Sequence, residues 1–409
     1  MMATCSTATN QDGIQPVGVC PWYLHGNSTP HTWIFGAFAE LIDNAYDPDV
    51  NAEEFWIDKV DYEGSPCLMF KDNGSGISPD KFLKMFSFGY CEKRRDESYP
   101  NHMPIGQYGN GFKSGSMRMG EDAIVFTRTK DSASVGFLSK TYLEAIGSDN
   151  LIVPIVHYSL PGMQRCEPRK FENNLKAILT YSVFHSEDAL KEELLELETC
   201  GTGTKIIISN LKKINNDLLE LDFTSDPRDI LCPAAQEVEA SAVKSRSFTL
   251  NPSRYRVSLR EYCTILFLKP RMIIHIRGKK VRTKLVSRAL REPCYFNYKP
   301  HTVKSPIRVT FGFTWGQMET EDYGMMLYNR NRLIKAFERV GCQRQSNTTD
   351  GIGVVGVAEI NFVEPEHTKQ NFTSSTAYNA ALRWFGDKLN EYWYEKKYTG
   401  TPGQSRQQR

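Results

Sequence analysis

The chain has 409 residues, of which 40% are hydrophobic and 24% are charged, and its formal net charge is +2. This composition is typical of a globular protein of two or three domains and excludes an overall polycation, so any nucleic-acid contact must come from a local patch. The ten cysteines are scattered without a Cys-x-x-Cys pair, which favours a reduced intracellular protein over a disulfide framework. No apolar run approaches the ~20 residues of a membrane span, and we expect no membrane partner.

The first half of the chain is predicted to form one α/β unit after a flexible segment, 1–20. A helix is predicted over 33–47, with Thr32 as its cap, a broad apolar face and Pro48 at its end. Strands are predicted at 54–60, 67–71, 123–129, 134–139 and 205–209. Helices are predicted at 80–87, 113–119 and 189–198. The polar stretch 89–104 is predicted to be a mobile loop.

A polar stretch interrupted by prolines, 222–254, predicts a domain boundary. The predicted division is a first domain over 21–225, a linker over 226–254, a second domain over 255–398 and a disordered tail over 399–409. In the second domain we expect strands at 265–267, 272–276, 307–313, 324–328 and 353–360. The segment 331–340 follows the fourth of these, and a helix over 377–396 ends the ordered part.

The first helix carries Glu-Leu-Ile-Asp-Asn at 40–44. Glu40 and Asn44 are four residues apart, so they project from one helix face, where a carboxylate can orient water and an amide oxygen can bind Mg²⁺. The alternative is a solvated pair on an amphipathic helix, but polar groups on a mostly apolar helix need a partner. Asp43 and Asp47 are interpreted as structural, holding backbone amides or a nearby base.

The second motif is Asp-Asn-Gly-Ser-Gly at 72–76. The glycines Gly74 and Gly76 let a flat purine approach the backbone, and Asp72 can accept the exocyclic amine of adenine. A plain hairpin turn is the alternative, because Asp-Asn-Gly is a common turn sequence. Thr204, in Thr-Gly-Thr-Lys before a strand, can bond Asp72 and a water at the adenine edge. By itself it is an ordinary strand residue.

The third motif is Gly-Gln-Tyr-Gly-Asn-Gly-Phe-Lys-Ser at 106–114. Its glycines expose backbone N–H groups ahead of a helix, and phosphates at such a helix start gain amide hydrogen bonds and the helix dipole. It is not a P-loop, because Phe112 separates Gly111 from Lys113. It is not the dinucleotide motif either, because Ser114 stands where the third glycine is required.

The stretch 254–291 contains twelve basic residues and one acidic residue, Glu261. Such a stretch indicates either a solvated positive face or a sequence-independent contact with a phosphate backbone. The candidates for nucleic-acid contact are Arg277, Lys279, Lys280, Arg282 and Lys284.

These motifs together resemble the ATP site of the GHKL superfamily with its Bergerat fold. Longer stretches are similar to the ATPase module of the MORC family CW-type zinc finger proteins, most of all their type 3 and type 4 branch. The segments that carry this resemblance are Asn-Ser-Thr at 27–29, residues 39–50, residues 106–119 and Tyr-Asn-Arg-Asn-Arg-Leu-Ile-Lys at 328–335. The resemblance implies an α/β fold of α+β sandwich layering, with a GHKL domain followed by a ribosomal-protein-S5-like transducer domain.

The resemblance also implies roles for individual residues, with ATP and Mg²⁺ as the bound groups. It makes Glu40 the general base, Asn44 the Mg²⁺ ligand, Asp72 the adenine contact and Lys335 a γ-phosphate contact. Without the resemblance, Lys335 would be read as a surface lysine. The further nucleotide-binding residues are Gly74, Gly76, Ile77, Met85, the lid residues Ser87, Phe88, Gly89 and Lys93, then Gly106, Gln107, Tyr108, Gly109, Asn110, Gly111, Phe112, Lys113 and Thr204.

For the whole protein, the resemblance implies an ATP-dependent homodimer that acts on chromatin in the nucleus, binds DNA and silences genes. In that family a CW zinc finger reads methylated histone H3 tails. Its closely spaced cysteine ligands and the family's coiled coil are not in this sequence, so we expect a truncated piece of a longer protein. An ATP-binding clamp with negligible hydrolysis stays an alternative. A sensor kinase is disfavoured, because none of the eight histidines lies in a phospho-acceptor hairpin.

Overall fold

The structure is a computed structural model of the chain and describes residues 18–91, 102–214, 218–233, 253–300, 303, 305–314, 321–345 and 348–399. In the described part the helices are α1 (Trp22–Ser28), α2 (Ile34–Tyr46), α3 (Pro79–Phe86), α4 (Gly111–Met119), α5 (Lys140–Ala145), α6 (Pro168–Tyr181), α7 (Glu187–Glu198), α8 (Leu259–Ile265) and α9 (Thr376–Thr399). No helix among these residues is both long and apolar enough to cross a bilayer.

The strands of the described part, in chain order, are β1 (Glu54–Tyr62), β2 (Ser65–Asp72), β3 (Gly120–Arg128), β4 (Ser132–Ser139), β5 (Ile155–Ser159), β6 (Gln164–Arg165), β7 (Gly203–Leu211), β8 (Lys213–Ile214), β9 (Leu218–Leu219), β10 (Ile273–Ile276), β11 (Lys279–Lys280), β12 (Arg291–Tyr298), β13 (Ile307–Phe313), β14 (Gly324–Asn329), β15 (Arg332–Glu338) and β16 (Val354–Glu359). The strands predicted at 307–313 and 324–328, together with most of those in the first half, are therefore present, with ends that differ by a few residues.

Two sheets organise the chain. The first has nine strands in the order β11-β10-β1-β2-β7-β3-β4-β5-β6, and the second has five in the order β12-β13-β16-β14-β15. Most neighbouring strands are antiparallel, but β1 pairs with β10 and β14 pairs with β16 in parallel. Because β10 and β11 follow the predicted linker in sequence yet extend the first sheet, the two halves of the chain share one sheet.

The helices α2 and α4 pack on one face of the first sheet. A Cβ on Gly115 of α4 would lie 2.9 Å from the Ala37 carbonyl oxygen of α2, so the glycine allows the two backbones to approach closely. The core on this side continues into the second half of the chain through Tyr328, Leu333 and Val355. On the outer face of the second sheet, α9 packs Phe385 and neighbouring apolar residues into a separate cluster. This arrangement fixes the second half against α2.

Two expectations about local structure are wrong. Residues 265–267 do not form a strand, because α8 ends at Ile265 and only an isolated bridge joins Phe267 to Arg332. Ser258 caps the start of this helix, because its hydroxyl accepts a hydrogen bond from the backbone N–H of Glu261. Thr32 is not the cap of α2, whose capping residue is Trp33, without a side-chain bond.

Several elements have no counterpart in the prediction, namely α1, α5, α6, β5, β6, β8, β9, β11 and β12. The segment 1–17, most of the predicted loop 89–104, much of the linker and the tail from 400 onward lie outside the described residues. No disulfide joins any of the cysteines that the structure describes.

Candidate nucleotide-binding site

One cavity of about 600 Å³ brings the three predicted motifs together. Small-molecule sites commonly measure ~300–1,000 Å³. Helix α2, the turn after β2 and the glycine-rich segment before α4 each contribute to its wall. The predicted site residues that line it are Glu40, Asn44, Asp72, Gly76, Ile77, Met85, Gly106, Gln107, Tyr108, Gly109, Gly111, Phe112, Lys113 and Thr204.

Some predicted residues are not part of this wall, namely Gly74, Ser87, Phe88, Gly89, Asn110 and Lys335. Asn110 supports the site from behind, since its Oδ1 accepts a hydrogen bond from the Gly89 N–H at 3.1 Å. Lys93 lies outside the described residues.

The structure does not bring Lys335 to the cavity. Its Nζ lies 3.5 Å from Glu338 Oε2 on the same strand, β15, and its side chain is partly exposed. The local reading of Lys335 as a surface lysine therefore describes its position better than the γ-phosphate contact that the resemblance implied.

Helix α2 presents the catalytic candidates. Asn44 is the one residue of α2 that is not buried, and both it and Glu40 line the cavity. Glu40 is 5% exposed, and its Oε1 is buried without a hydrogen-bond partner in the described structure. An unpartnered buried carboxylate oxygen is costly, so a ligand or water is the expected partner.

A lysine from the second half of the chain closes this side of the cavity. Lys369 Nζ donates a hydrogen bond to Glu40 Oε2 at 2.7 Å and lies 3.5 Å from Asp43 Oδ2. Burial lowers the pKa of Lys369, but the two carboxylates raise it more, and the net pKa lies above its usual value. The ammonium is therefore charged where it lines the cavity.

Asp43 and Arg332 form a buried ion pair behind the cavity. Arg332 Nε donates to Asp43 Oδ1 at 2.9 Å, and the two side chains are 2% and 1% exposed. Burial raises the pKa of Asp43 while Arg332 and Lys369 oppose that shift. Burial also lowers the pKa of Arg332, but Asp43 and its other neighbours raise it more, so the guanidinium stays charged.

Asp47 holds the start of the glycine-rich segment. Its Oδ1 accepts the Ile105 N–H at 2.7 Å and its Oδ2 accepts the Gly106 N–H at 3.0 Å. This confirms the structural interpretation of Asp47, and it fixes where the glycine backbone enters the site.

Asp72 ends β2 and lines the cavity next to Gly76. Asp72 Oδ1 accepts the Gly74 N–H at 2.8 Å. Burial raises the pKa of Asp72 to about 7, although hydrogen bonds from the Gly74 and Thr204 backbone lower it. Gly76 has φ +70°, and a Cβ there would lie 2.1 Å from the Arg128 carbonyl oxygen, so only glycine fits this turn.

Thr204 lies beside Asp72 because the two are paired in the register of β2 and β7. Its hydroxyl lies 3.4 Å from the Thr127 hydroxyl, and Thr127 in turn accepts the Ile77 N–H at 2.8 Å. The hydroxyl contact seen in this structure is thus with Thr127, while the expected hydroxyl bond to Asp72 is not formed.

The ammonium of Lys113 donates its hydrogen bonds to backbone carbonyl groups. Lys113 Nζ donates to the carbonyl oxygens of Met85 at 2.8 Å and Gly109 at 2.6 Å, and it lies 5.1 Å from the Phe88 ring centroid. Burial lowers its pKa to about 7. Lys113 therefore joins the glycine-rich segment to the end of α3 in this conformation.

The five nucleic-acid candidates differ in their surroundings. Arg277 Nε lies 3.1 Å from Asp58 Oδ1, and Lys284 Nζ lies 2.9 Å from Glu261 Oε2. The other three, Lys279, Lys280 and Arg282, are exposed and form no ion pair with any described residue. A phosphate backbone therefore has these three free cations available on and next to β11.

A second cavity of about 790 Å³ lies between the second sheet and the segment 285–288. None of the predicted nucleotide-binding residues lines it. We therefore assign the nucleotide site to the smaller cavity, where the predicted chemistry converges.

No cluster of three or more His, Cys, Asp or Glu suited to a metal occurs among the described residues. Such a cluster is not required for Mg²⁺, which keeps several waters and binds through one or two protein oxygens plus substrate phosphates. Asn44 fits this mode of Mg²⁺ binding, because its side chain lines the cavity one helical turn from Glu40, whose Oε1 has no hydrogen-bond partner among the described residues.

Comparison with known proteins gives two family matches. Residues 31–172 match "Histidine kinase-, DNA gyrase B-, and HSP90-like ATPase", and residues 257–393 match "Morc6 ribosomal protein S5 domain 2-like". The mouse protein "MORC family CW-type zinc finger protein 3" is 46% identical over 94% of this chain. The Arabidopsis thaliana "Protein MICRORCHIDIA 2" is 35% identical over 95% of the chain, and the mouse "ATPase MORC2A" is 31% identical over 94%.

The chain is similar to MORC family proteins over nearly all of its length. The predicted fold class is confirmed, with a GHKL domain followed by an S5-like domain. The chain covers 40% of the mouse MORC type 3 protein, 63% of MICRORCHIDIA 2 and 44% of MORC2A, so it corresponds to part of these relatives.

The residue that sequence reasoning missed in this chain is Lys369. It stands in His-Thr-Lys-Gln at 367–370, within the connection from β16 to α9. His367 and Lys369 both line the cavity. The sequence does show a polar connection that contains a lysine in the S5-like domain. No local pattern, however, distinguishes Lys369 from Lys335 as the lysine that enters the cavity.

Proposed function

We propose that this chain is a magnesium-dependent ATPase module of GHKL type. The observation that supports it most is the convergence of Glu40, Asn44 and Asp72 with the glycine-rich segment on one cavity, closed by Lys369. Three separate sequence motifs and a lysine from the second domain together provide contacts for the base, the phosphates and the metal ion of a bound nucleoside triphosphate.

In this proposal, Asp72 accepts the exocyclic amine of adenine, and the backbone N–H groups of 106–113 bind phosphates at the start of α4. Asn44 would hold Mg²⁺ together with substrate oxygens, and the ion would supply positive charge that offsets the charge of the phosphates. Glu40 orients and deprotonates the attacking water.

Lys369 takes the role that the resemblance gave to Lys335. Its ammonium is already charged and directed into the cavity, where the terminal phosphate of ATP competes with Glu40 for it. Positive charge at this point stabilises the transferred phosphoryl group and releases the Glu40 carboxylate to act as the base. Because Lys369 belongs to the second domain, the same contact couples nucleotide binding to the geometry between domains.

We further propose that ATP drives homodimerisation of the module. Large apolar side chains are strongly exposed on α1, on α3 and in the cavity wall, namely Trp22 at 75%, Leu83 at 58% and Tyr90 at 64% exposure. Tyr23 of α1 packs edge-on against Phe88, with ring centroids 4.8 Å apart, so α1 lies against the segment that leads to Tyr90 in the cavity wall. Exposed apolar clusters of this kind mark interaction surfaces.

The proposal extends to DNA, which the exposed cations on and next to β11 bind through phosphates without sequence preference. For the whole protein we propose a nuclear, chromatin-associated role in gene silencing. Any reading of histone H3 would come from a CW finger outside these residues.

The proposal is tested by phosphate release and by light scattering after size exclusion, with and without a non-hydrolysable ATP analogue. We expect Glu40→Ala to keep analogue binding and dimerisation while hydrolysis falls by ~10²-fold or more. Hydrolysis at the native rate in that variant would remove Glu40 as the base. Dimerisation without detectable hydrolysis in the native chain would support the alternative, a non-catalytic clamp.

The two lysines form a matched pair. Lys369→Met is expected to lower turnover by ~10²-fold, because a charge that faces the reacting phosphoryl group is lost. Lys335→Met, on the same domain, is expected to leave turnover within about threefold of the native value, because Lys335 pairs with Glu338 away from the cavity. The reverse pattern would restore the role that the resemblance implied for Lys335.

A further inference from the structure

Four buried charges lie together where the second domain meets α2. Lys369 contacts Glu40 Oε2 at 2.7 Å and Asp43 Oδ2 at 3.5 Å, and Arg332 contacts Asp43 Oδ1 at 2.9 Å. Each of the four side chains is at most 6% exposed. With two carboxylates and two cations, the formal charge of the group is balanced.

The four side chains divide into two pairs by their access to the nucleotide site. Glu40 and Lys369 line the cavity, whereas Asp43 and Arg332 do not. Arg332 is held from behind as well, since its Nη1 donates to the Leu333 carbonyl and its guanidinium lies 5.8 Å from the Tyr262 ring centroid. Arg332 therefore lies outside the cavity wall, and of the two carboxylates it contacts Asp43.

Lys369 has two carboxylates within reach, and only one of them belongs to the reaction. Asp43 competes with Glu40, and in the presence of ATP with the terminal phosphate, for the same ammonium. Attraction between charges in a poorly solvated site is strong, so a bare Asp43 carboxylate would hold Lys369. The close bond from Arg332 to Oδ1 offsets the Asp43 charge, and Oδ2 lies at the longer distance of 3.5 Å from Lys369 Nζ, without a hydrogen bond.

We propose that Arg332 is a positioning residue that neutralises Asp43 and so leaves Lys369 available to the terminal phosphate of ATP. This inference rests on the proposed ATPase function. It adds a second cation from the S5-like domain that acts on the nucleotide without touching it.

A merely structural role for Arg332 has a different consequence. If the pair only ties β15 to α2, then removing both charges leaves the two domains without that tie, and the double variant is at least as impaired as Arg332→Met. If Arg332 acts by neutralising Asp43, removing the Asp43 charge as well restores the balance around Lys369. Charge compensation therefore distinguishes the two roles.

The experiment compares Arg332→Met, Arg332→Lys, Asp43→Asn and the double variant Asp43→Asn with Arg332→Met. Calorimetry gives the affinity of each for a non-hydrolysable ATP analogue and for ADP, both with Mg²⁺. The ratio of the two affinities reports the contact with the terminal phosphate, and it does not depend on turnover. Thermal unfolding of each variant checks that the fold is kept.

We expect Arg332→Met to lower the analogue-to-ADP affinity ratio by about tenfold, because one charge-assisted contact is lost. Arg332→Lys is expected to lose less, and the double variant to return to within about threefold of the native ratio. Turnover of the folded variants is expected to follow the same order.

A double variant that is folded and has a ratio as low as that of Arg332→Met would overturn the proposal, as would a native ratio in Arg332→Met. If Arg332→Met does not fold, the comparison of Arg332→Lys with the double variant decides the question in the same way. Failure of the native chain to bind the analogue would count against the ATPase proposal itself, so the two failures are distinguishable.

Discussion

The selectivity of the site for adenine is predicted to depend on pH through Asp72. One carboxylate oxygen accepts the Gly74 N–H, and burial raises the pKa of Asp72 to about 7. Because Oδ1 already accepts the Gly74 N–H, the second oxygen faces the base, and in the ionised form that oxygen accepts the 6-amino group of ATP. When the second oxygen carries a proton it becomes a hydroxyl donor, which no longer suits the amino group of ATP but can donate to the 6-oxo group of ITP. Lowering the pH through this pKa therefore weakens ATP binding and strengthens ITP binding at the same side chain.

The size of the change in nucleotide selectivity follows from the titration of Asp72. If each nucleotide binds one protonation state, the ratio of ATP to ITP affinity changes tenfold per pH unit, or about 1.4 kcal/mol. Between pH 8 and pH 6 the ratio is expected to fall by about 100-fold, or roughly 2.7 kcal/mol. Titration of the phosphates and of Lys113, whose pKa is also lowered to about 7, affects both nucleotides alike and cancels in the ratio.

The assay is calorimetric or fluorescence competition binding of both nucleotides across that pH range, with Glu40→Ala used to prevent turnover. Asp72→Asn is the companion variant, because its amide presents a donor at every pH and is expected to prefer ITP without pH dependence. A ratio that stays constant from pH 8 to pH 6 in the native site would refute the assignment of Asp72 as the adenine contact.

Three further changes are expected to separate the parts of the site. Asn44→Ala should abolish the heat of Mg-ATP binding, and an unchanged isotherm would remove Asn44 as the magnesium ligand. Gly111→Ala places a Cβ 2.3 Å from Glu40 Oε2 and should lower turnover by at least about tenfold. Gly26→Ala is the control, because its Cβ meets nothing within 4 Å, and it should leave turnover unchanged. Equal effects of the two substitutions would contradict the close approach of Gly111 to Glu40. Reversing the charge of both lysines of β11 should reduce the salt dependence of DNA binding by a slope of about two, and an unaltered slope would exclude this edge from the interface.

The sequence predicts the first half of the site well because each motif is local. The period of apolar residues predicts α2, and its spacing places Glu40 and Asn44 on one face. The glycines at 74 and 76 predict a turn, and the glycine-rich segment predicts the start of α4. These features depend on backbone geometry and short spacing, which a single sequence displays directly.

The part that the sequence does not predict is the contribution of the second domain. Lys335 lies within β15 and Lys369 lies in the connection between β16 and α9, and only the packing of the second half of the chain against α2 decides which one enters the cavity. The bond between Asp43 and Arg332 joins residues 289 positions apart in sequence. The strand expected at 265–267 fails for a related reason, because a short apolar run does not distinguish a buried helix end from a strand.

A crystal structure of the chain with Mg²⁺ and a non-hydrolysable ATP analogue tests the central claim most directly. The account predicts adenine against Asp72, phosphates along 106–113 and the ammonium of Lys369, moved off Glu40, within hydrogen-bonding distance of the terminal phosphate. Nucleotide in the larger cavity of the second domain, or a terminal phosphate bound by Lys335, would contradict it.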